Sequence, residues 1–135
     1  MELLARIPKD RIAVLIGKAG RTRKMLEKAS GASLEIDSAT GDISAIWEEE
    51  EIDPILKMKM PDVIRAIGRG LAPNRAVRLL DDEVFLRMYD IREWVGRQPN
   101  QTRRMRSRLI GRNGRIRSLI EEMSQTEMAI YGSTV

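Results

Sequence analysis

The chain has 135 residues, 42% of them hydrophobic and 33% charged, which excludes a disordered chain and fits one ordinary domain or two very small ones. It contains no cysteine and no histidine, so disulfides, thiolate nucleophiles and histidine-based metal or triad sites are excluded. The net charge is only +4, but its placement is uneven, with eight arginines and no acid from Arg97 to Arg117.

In chain order, an opening strand is expected over residues 2–7. Ile12, Leu15 and Ile16 recur at helical spacing and predict a short helix over 10–16. Gly17 stops it, and Gly20 closes a four-residue loop. A second helix over 21–29 turns Met25 and Leu26 inward and breaks at Ser30-Gly31. Residues 33–37 alternate Leu34 and Ile36 against Glu35, the pattern of a strand. A turn over 39–42 leads to a further strand over 43–47 and then to the acidic run 48–51. After Pro54 and Pro61, Val63, Ile64 and Ile67 mark a helix that ends near Gly68 or Gly70. A short helix fits 74–80 with Asn74 as its cap. Residues 83–91 look extended, and 97–100 form a polar loop around Pro99.

The chain then repeats itself. Residues 15–37 read LIGKAGRTRKMLEKASGASLEID, and residues 109–131 read LIGRNGRIRSLIEEMSQTEMAIY. Nine of the 23 aligned positions are identical without a gap, at an offset of 94 residues from Gly17 to Gly111. One supersecondary unit is therefore present twice. Each copy carries Ile-Gly-x-x-Gly between two helices, as Ile16-Gly17-Lys18-Ala19-Gly20 and as Ile110-Gly111-Arg112-Asn113-Gly114.

That motif suits a sugar-phosphate backbone. Two helices joined by a tight glycine loop leave main-chain N–H groups unpaired at the start of the second helix, where the helix dipole also favours an anion. Glycine lets a phosphate approach the main chain without meeting a Cβ. Lys18 and Ala19, or Arg112 and Asn113, add charge or hydrogen bonds. Arg21 and Arg23, or Arg115 and Arg117, follow on the second helix, and arginine grips phosphate in a bidentate fork. Apolar groove walls for the bases are expected from Ile12, Ile16, Leu34 and Ile36, and in the second copy from Leu109, Ile110, Met128 and Ile130. Only five aromatics are present, which disfavours readers built on exposed ring platforms. The loops are not Walker A motifs, since Lys18 is followed by Ala19 and not by Ser or Thr.

The order β-α-α-β-β-α around this motif resembles the type I KH domain. More widely, the chain resembles the archaeal two-KH-domain small-subunit ribosome assembly factors of the "partner of Nob" family. The stretches that carry the resemblance are IPKDRI (7–12), IDSATG (36–41), VIRAIGRG (63–70), RAVRLL (75–80), LIGRNGRIR (109–117) and IEEMS (120–124). It implies an α/β fold of two type I KH units: residues 1–71, a helix-and-loop linker over 72–82, and a second unit over 83–135. Family members continue with a further strand and helix, so the second unit is expected to be incomplete and the chain a fragment. The resemblance also implies clamping of the 3′ end of small-subunit rRNA or its precursor. Implied partners are the pre-rRNA endonuclease and the alpha subunit of translation initiation factor two. No cofactor and no metal are implied.

Other readings are weaker. A magnesium nuclease built on the acidic residues 48–51, Asp53 and 81–83 needs carboxylates that converge, which runs in sequence do not supply. A duplex-DNA helix-turn-helix is disfavoured by the strand after each helix pair. A protein scaffold binding a translation factor would use Trp47, Leu71 and Trp94. No apolar run approaches the roughly 18 residues of a membrane span, and the N-terminus has no signal-peptide core. A cytoplasmic protein without a membrane partner is expected.

Overall fold

In the computed structural model, which describes residues 1–48 and 51–135, the elements follow the sequence pattern closely in the first half. β1 (Glu2–Arg6) leads to α1 (Lys9–Ile16), α2 (Arg21–Ser30), β2 (Ser33–Ile36) and β3 (Asp42–Ile46). After these come α3 (Pro54–Gly68), α4 (Pro73–Ala76) and a 3-10 turn over Val77–Leu80. The strands form an antiparallel sheet in the order β1-β3-β2. Leu34 lies opposite Ala45 and Ile36 opposite Ile43, while Glu2 lies opposite Ala45 on the other side of β3.

Period-two alternation decides which residues leave water. Leu4, Leu34, Ile43 and Ala45 point from the sheet into one core, where they meet Ile12 and Leu15 of α1, Leu26 of α2, and Met60, Val63, Ile64 and Ile67 of α3. Each fully enclosed Leu or Ile contributes about 1.5–3 kcal/mol of burial free energy. Beyond Ile36, the Asp37 carboxylate accepts the N–H groups of Ala39 and Thr40 and so shapes the turn into β3.

Three expectations are corrected in this unit. The helix α3 starts at Pro54, with Asp53 accepting the Ile55 N–H, and runs through Pro61. Pro61 forfeits one helical hydrogen bond, and the buried side chains of Met60, Val63 and Ile64 around it keep the helix together. The helix α4 begins at Pro73, with Ala72 as its N-cap residue, so Asn74 lies inside it and caps nothing. Residues 72–82 are no linker, because Ala76 and Leu79 are buried in the first core. The nearly buried Lys59 ammonium donates to the carbonyls of Asp81 (3.0 Å) and Val84. The chain accordingly divides into the units Met1–Leu86 and Arg87–Val135. The acidic pair 49–50 within the run 48–51 lies outside the described residues.

The unit Arg87–Val135 contains α5 (Arg92–Val95), α6 (Pro99–Ile110) and α7 (Arg115–Ser124). Pro99 opens α6 at its first turn instead of sitting in a loop, a position where its missing N–H costs nothing. The extended segments at the two ends of the unit meet. Tyr89 and Val135 exchange main-chain hydrogen bonds of 2.9 Å, and the Ile91 N–H donates to the Ser133 carbonyl at 2.7 Å. These contacts form only isolated bridges. Residues 127–131, the counterpart of 33–37 at the offset of 94, join no ladder among the described residues, and Tyr131 makes an isolated bridge with Thr134.

Candidate nucleic-acid interface

Each helix pair is joined by the same loop. Gly17 has φ 74° and ψ 176°, and Gly111 has 72° and 177°. Ala19 (54°, 27°) matches Asn113 (56°, 27°), and Gly20 (74°, 14°) matches Gly114 (73°, 15°). The Gly17 N–H donates to Ala13 O at 2.9 Å and the Gly111 N–H to Ser107 O at 2.9 Å, which closes α1 and α6 alike.

The two glycines of each loop do different work. A Cβ on Gly17 would sit 2.2 Å from Thr22 Oγ1, and one on Gly111 would sit 2.4 Å from Ile116 Cγ1. These first glycines let the loop fold back on the second helix. A Cβ on Gly20 or Gly114 would meet nothing within 4 Å. The second glycines therefore border open space, where a backbone could lie against the chain. No side chain caps α2 or α7, so their leading N–H groups have no side-chain acceptor at the N-cap. Lys18, Ala19, Arg21, Arg112, Asn113 and Arg115 are all exposed around these ends.

Arg23 and Arg117 are placed differently. Arg23 Nη2 donates to the Leu34 carbonyl at 2.5 Å, and its Nε lies 3.8 Å from Glu27 Oε1. Arg117 Nε lies 4.0 Å from Glu121 Oε1. Arg23 thus joins α2 to β2. Arg11, on α1, donates to the carbonyls of Ile67 and Leu71 and closes the end of α3.

The expected groove residues also separate. Ile16 and Ile36 are half-buried, whereas Leu34 is fully enclosed and Ile12 is only 7% exposed. Leu34 and Ile12 face the core between sheet and helices and offer no wall to a base. In the second unit Leu109, Ile110, Met128 and Ile130 are all half-buried.

Sequence reasoning passed over Glu27 and Glu121. The Leu34 N–H donates to Glu27 Oε2 at 2.8 Å, and the Met128 N–H donates to Glu121 Oε2 at 2.9 Å. Each carboxylate braces the second helix of its pair against the segment that follows. Ser30 and Ser124 repeat as well, donating to Leu26 O (2.8 Å) and Ile120 O (2.6 Å). The signal was present, since both the glutamate and the serine are among the nine identities of the repeat.

Among the described residues no three His, Cys, Asp or Glu side chains group as metal ligands. Asp53 serves the N-terminus of α3, and the Asp81 carboxylate accepts the Glu83 N–H at 2.9 Å. Two half-buried carboxylates are held below the usual range: Asp42 by the hydrogen bond from Arg6, and Asp90, at about 2, by the hydrogen bond from Arg92. No helix among the described residues is long and apolar enough to cross a membrane.

A glycine loop of fixed geometry between two helices, present twice and in the first unit set on a sheet of order β1-β3-β2, defines a tandem type I KH protein. Comparison with known proteins agrees. Residues 3–52 match the KH domain family model, and residues 85–135 match that of the eukaryotic-type KH domain (KH-domain type I). The crystal structure of Dim2p from Pyrococcus horikoshii is 43% identical, with a TM-score of 0.86 over 96% of this chain and 75% of that one. The chain therefore belongs to the Dim2p family. The structure of an a/eIF2alpha–aDim2p–rRNA complex from the same organism matches at 43% identity and TM-score 0.87, covering 96% of this chain and 71% of that one. A protein of unknown function from Aeropyrum pernix matches at 29% identity and TM-score 0.89, covering 96% of this chain and 69% of that one. A KH domain-containing protein of Methanocaldococcus jannaschii is 40% identical over 132 residues, which is 98% of this chain. The chain spans 57% of that relative's length.

Proposed function

We propose that the protein binds single-stranded RNA in small-subunit ribosome assembly, clamping the 3′ end of small-subunit rRNA or its precursor through loops 17–20 and 111–114. The observation that carries this reading is the open face beside Gly20 and Gly114, repeated with the same dihedral angles in both copies. A ribose-phosphate strand lies against these glycines. The N–H groups at the start of α2 and α7 meet a phosphate, and Lys18 with Arg21, or Arg112 with Arg115, supply positive charge. Bases turn toward the half-buried Ile16 and Ile36, or toward Leu109, Ile110, Met128 and Ile130. KH folds hold about four nucleotides in this way.

The Pyrococcus complex, whose components are named as a/eIF2alpha, aDim2p and rRNA, supports RNA and the alpha subunit of translation initiation factor two as partners. The pre-rRNA endonuclease is a further partner on family resemblance, and the cytoplasm is the expected compartment. A quadruple variant, Lys18→Asp, Ala19→Asp, Arg112→Asp and Asn113→Asp, tests the reading. It should lose binding to a 3′ rRNA oligonucleotide while its circular dichroism spectrum is unchanged. Affinity of the parent should fall with salt at a log–log slope of about 0.7 per phosphate contacted. Parent-level affinity in the quadruple variant would overturn the proposal.

A further inference from the structure

One charged side chain is drawn toward the first core. Along α3 the enclosed side chains are Met60, Val63, Ile64 and Ile67, and Lys59 lies beside them with only 8% of its surface exposed. Among the described residues no other charged side chain is enclosed to this degree. A buried ammonium persists only where acceptors meet it. Lys59 finds them 22 and 25 residues later, where its Nζ donates to the carbonyls of Asp81, at 3.0 Å, and of Val84. The Phe85 ring covers a further side of the ammonium, with its centroid 4.4 Å away.

All three contacts fall on residues 81–86, a strap without helix or strand that follows Leu80. The strap has one turn of its own, in which the Val84 N–H donates to Asp81 O at 3.2 Å and the Glu83 N–H to Asp81 Oδ1 at 2.9 Å. Its side chains at 81–85 are exposed, and Leu86 is the one among them that packs against the first core. The strap is therefore held largely by its main chain, through a single cation. Hydrogen bonds from a charged donor are roughly twice as strong as neutral ones, so Lys59 acts as its latch.

The place of this strap in the chain gives the latch a consequence. The first unit ends at Leu86 and the second begins at Arg87. Residues 87–90 alone separate Leu86 from Ile91, which is buried and belongs to the second unit. With the strap held, the tether between the units is four residues; with the strap released from Leu80 onward, it is ten. A strand gripped at one loop meets the other at an effective concentration that falls as about the −3/2 power of tether length. Lengthening from four to ten residues lowers that concentration about 4-fold.

We propose that Lys59 is a positioning residue for RNA gripped at both loops. By latching the strap it keeps the tether short, so that the second engagement is intramolecular at high effective concentration. Lys59 itself touches no RNA. The inference rests on the two-loop RNA-binding reading, and a single-site oligonucleotide separates the two.

The test uses the full chain and two kinds of probe: an oligonucleotide of about four nucleotides, enough for one loop, and a series carrying two such stretches joined by spacers of increasing length. Lys59→Met should weaken the best two-site probe about 4-fold and flatten the dependence on spacer length. It should leave the single-site probe unchanged and speed hydrogen exchange within residues 82–86. A second variant leaves the latch intact and inserts about six Gly and Ser residues between Leu86 and Arg87, which lengthens the tether to the same extent and should give the same loss. It decides the matter should Lys59→Met fail to fold. Parent affinity for the two-site probes in either folded variant would overturn the proposal, and so would an equal loss for both kinds of probe. A parent that bound two-site probes no more tightly than the single-site one would overturn it too, with the RNA-binding reading intact. A parent that bound neither would overturn both readings.

Discussion

Replacing the glycines of the first loop one at a time separates folding from binding. Gly17 occupies φ 74°, ψ 176°, a region open almost only to glycine. Alanine there brings strain of about 1–3 kcal/mol. Its Cβ would also lie 2.2 Å from Thr22 Oγ1 and 2.8 Å from the Thr22 nitrogen, and main chain cannot swing aside as a flexible side chain can. A total loss of about 2–4 kcal/mol follows. At about 4–8 °C per kcal/mol for a domain of this size, the unfolding midpoint should fall by at least about 8 °C. Gly20 is left-handed at φ 74°, ψ 14° with nothing near its Cβ position. There alanine costs about 1 kcal/mol, and the smaller entropy of its unfolded chain offsets about 0.4–1 kcal/mol of that. Gly20→Ala should thus be nearly neutral for folding and damaging for binding, because the new methyl group fills the space left for a phosphate. Thermal denaturation and fluorescence anisotropy with a labelled oligonucleotide measure the two effects. Equal destabilisation by the two variants would refute the division of labour between the glycines.

Further outcomes follow from the same geometry. Ala19 and Asn113 hold the same left-handed conformation, which asparagine tolerates better, so Ala19→Asn should stabilise the first unit by about 0.5 kcal/mol and Asn113→Ala should destabilise the second by a similar amount, read by urea denaturation. Glu27→Ala leaves the Leu34 N–H without its acceptor, which should cost about 1–3 kcal/mol and speed hydrogen exchange at Leu34 above its neighbours. Asp90 titrates at about 2 instead of 3.8 because Arg92 binds its charged form. The carboxylate therefore stabilises the second unit above about pH 4, and that contribution disappears as the pH falls toward 2. Asp90→Asn should flatten the acid limb of the unfolding curve monitored by Trp94 fluorescence.

The glycine loops were legible because their spacing is local and each copy is a check on the other. Strand alternation at Leu34 and Ile36 was equally clear, yet it reveals only that both residues avoid water. That Leu34 enters the core while Ile36 stays half-buried depends on how α2 and α3 cover the sheet, which no local pattern contains. The same limit applies to Arg23. Its charge suggested a ligand, but the Leu34 carbonyl, on a strand eleven residues later, claims its guanidinium. Prolines misled in the opposite direction. Pro61 and Pro99 read as breaks, but burial around Pro61 outweighs one lost hydrogen bond, and Pro99 sits at a helix start where its fixed φ is an advantage. Residues 72–82 were expected as a helix-and-loop linker because they fall between the two repeated units. The burial of Ala76 and Leu79, spaced by three residues, shows the segment to be part of the first core.

The matching torsion angles of the two loops have a practical corollary. Glycine sets the contour of each turn, so the pair of residues between the glycines can be exchanged as a cassette. Transplanting Arg-Asn onto positions 18 and 19 would carry its chemistry into an unaltered mould, and selection for a new ligand has two letters to edit without redrawing the framework.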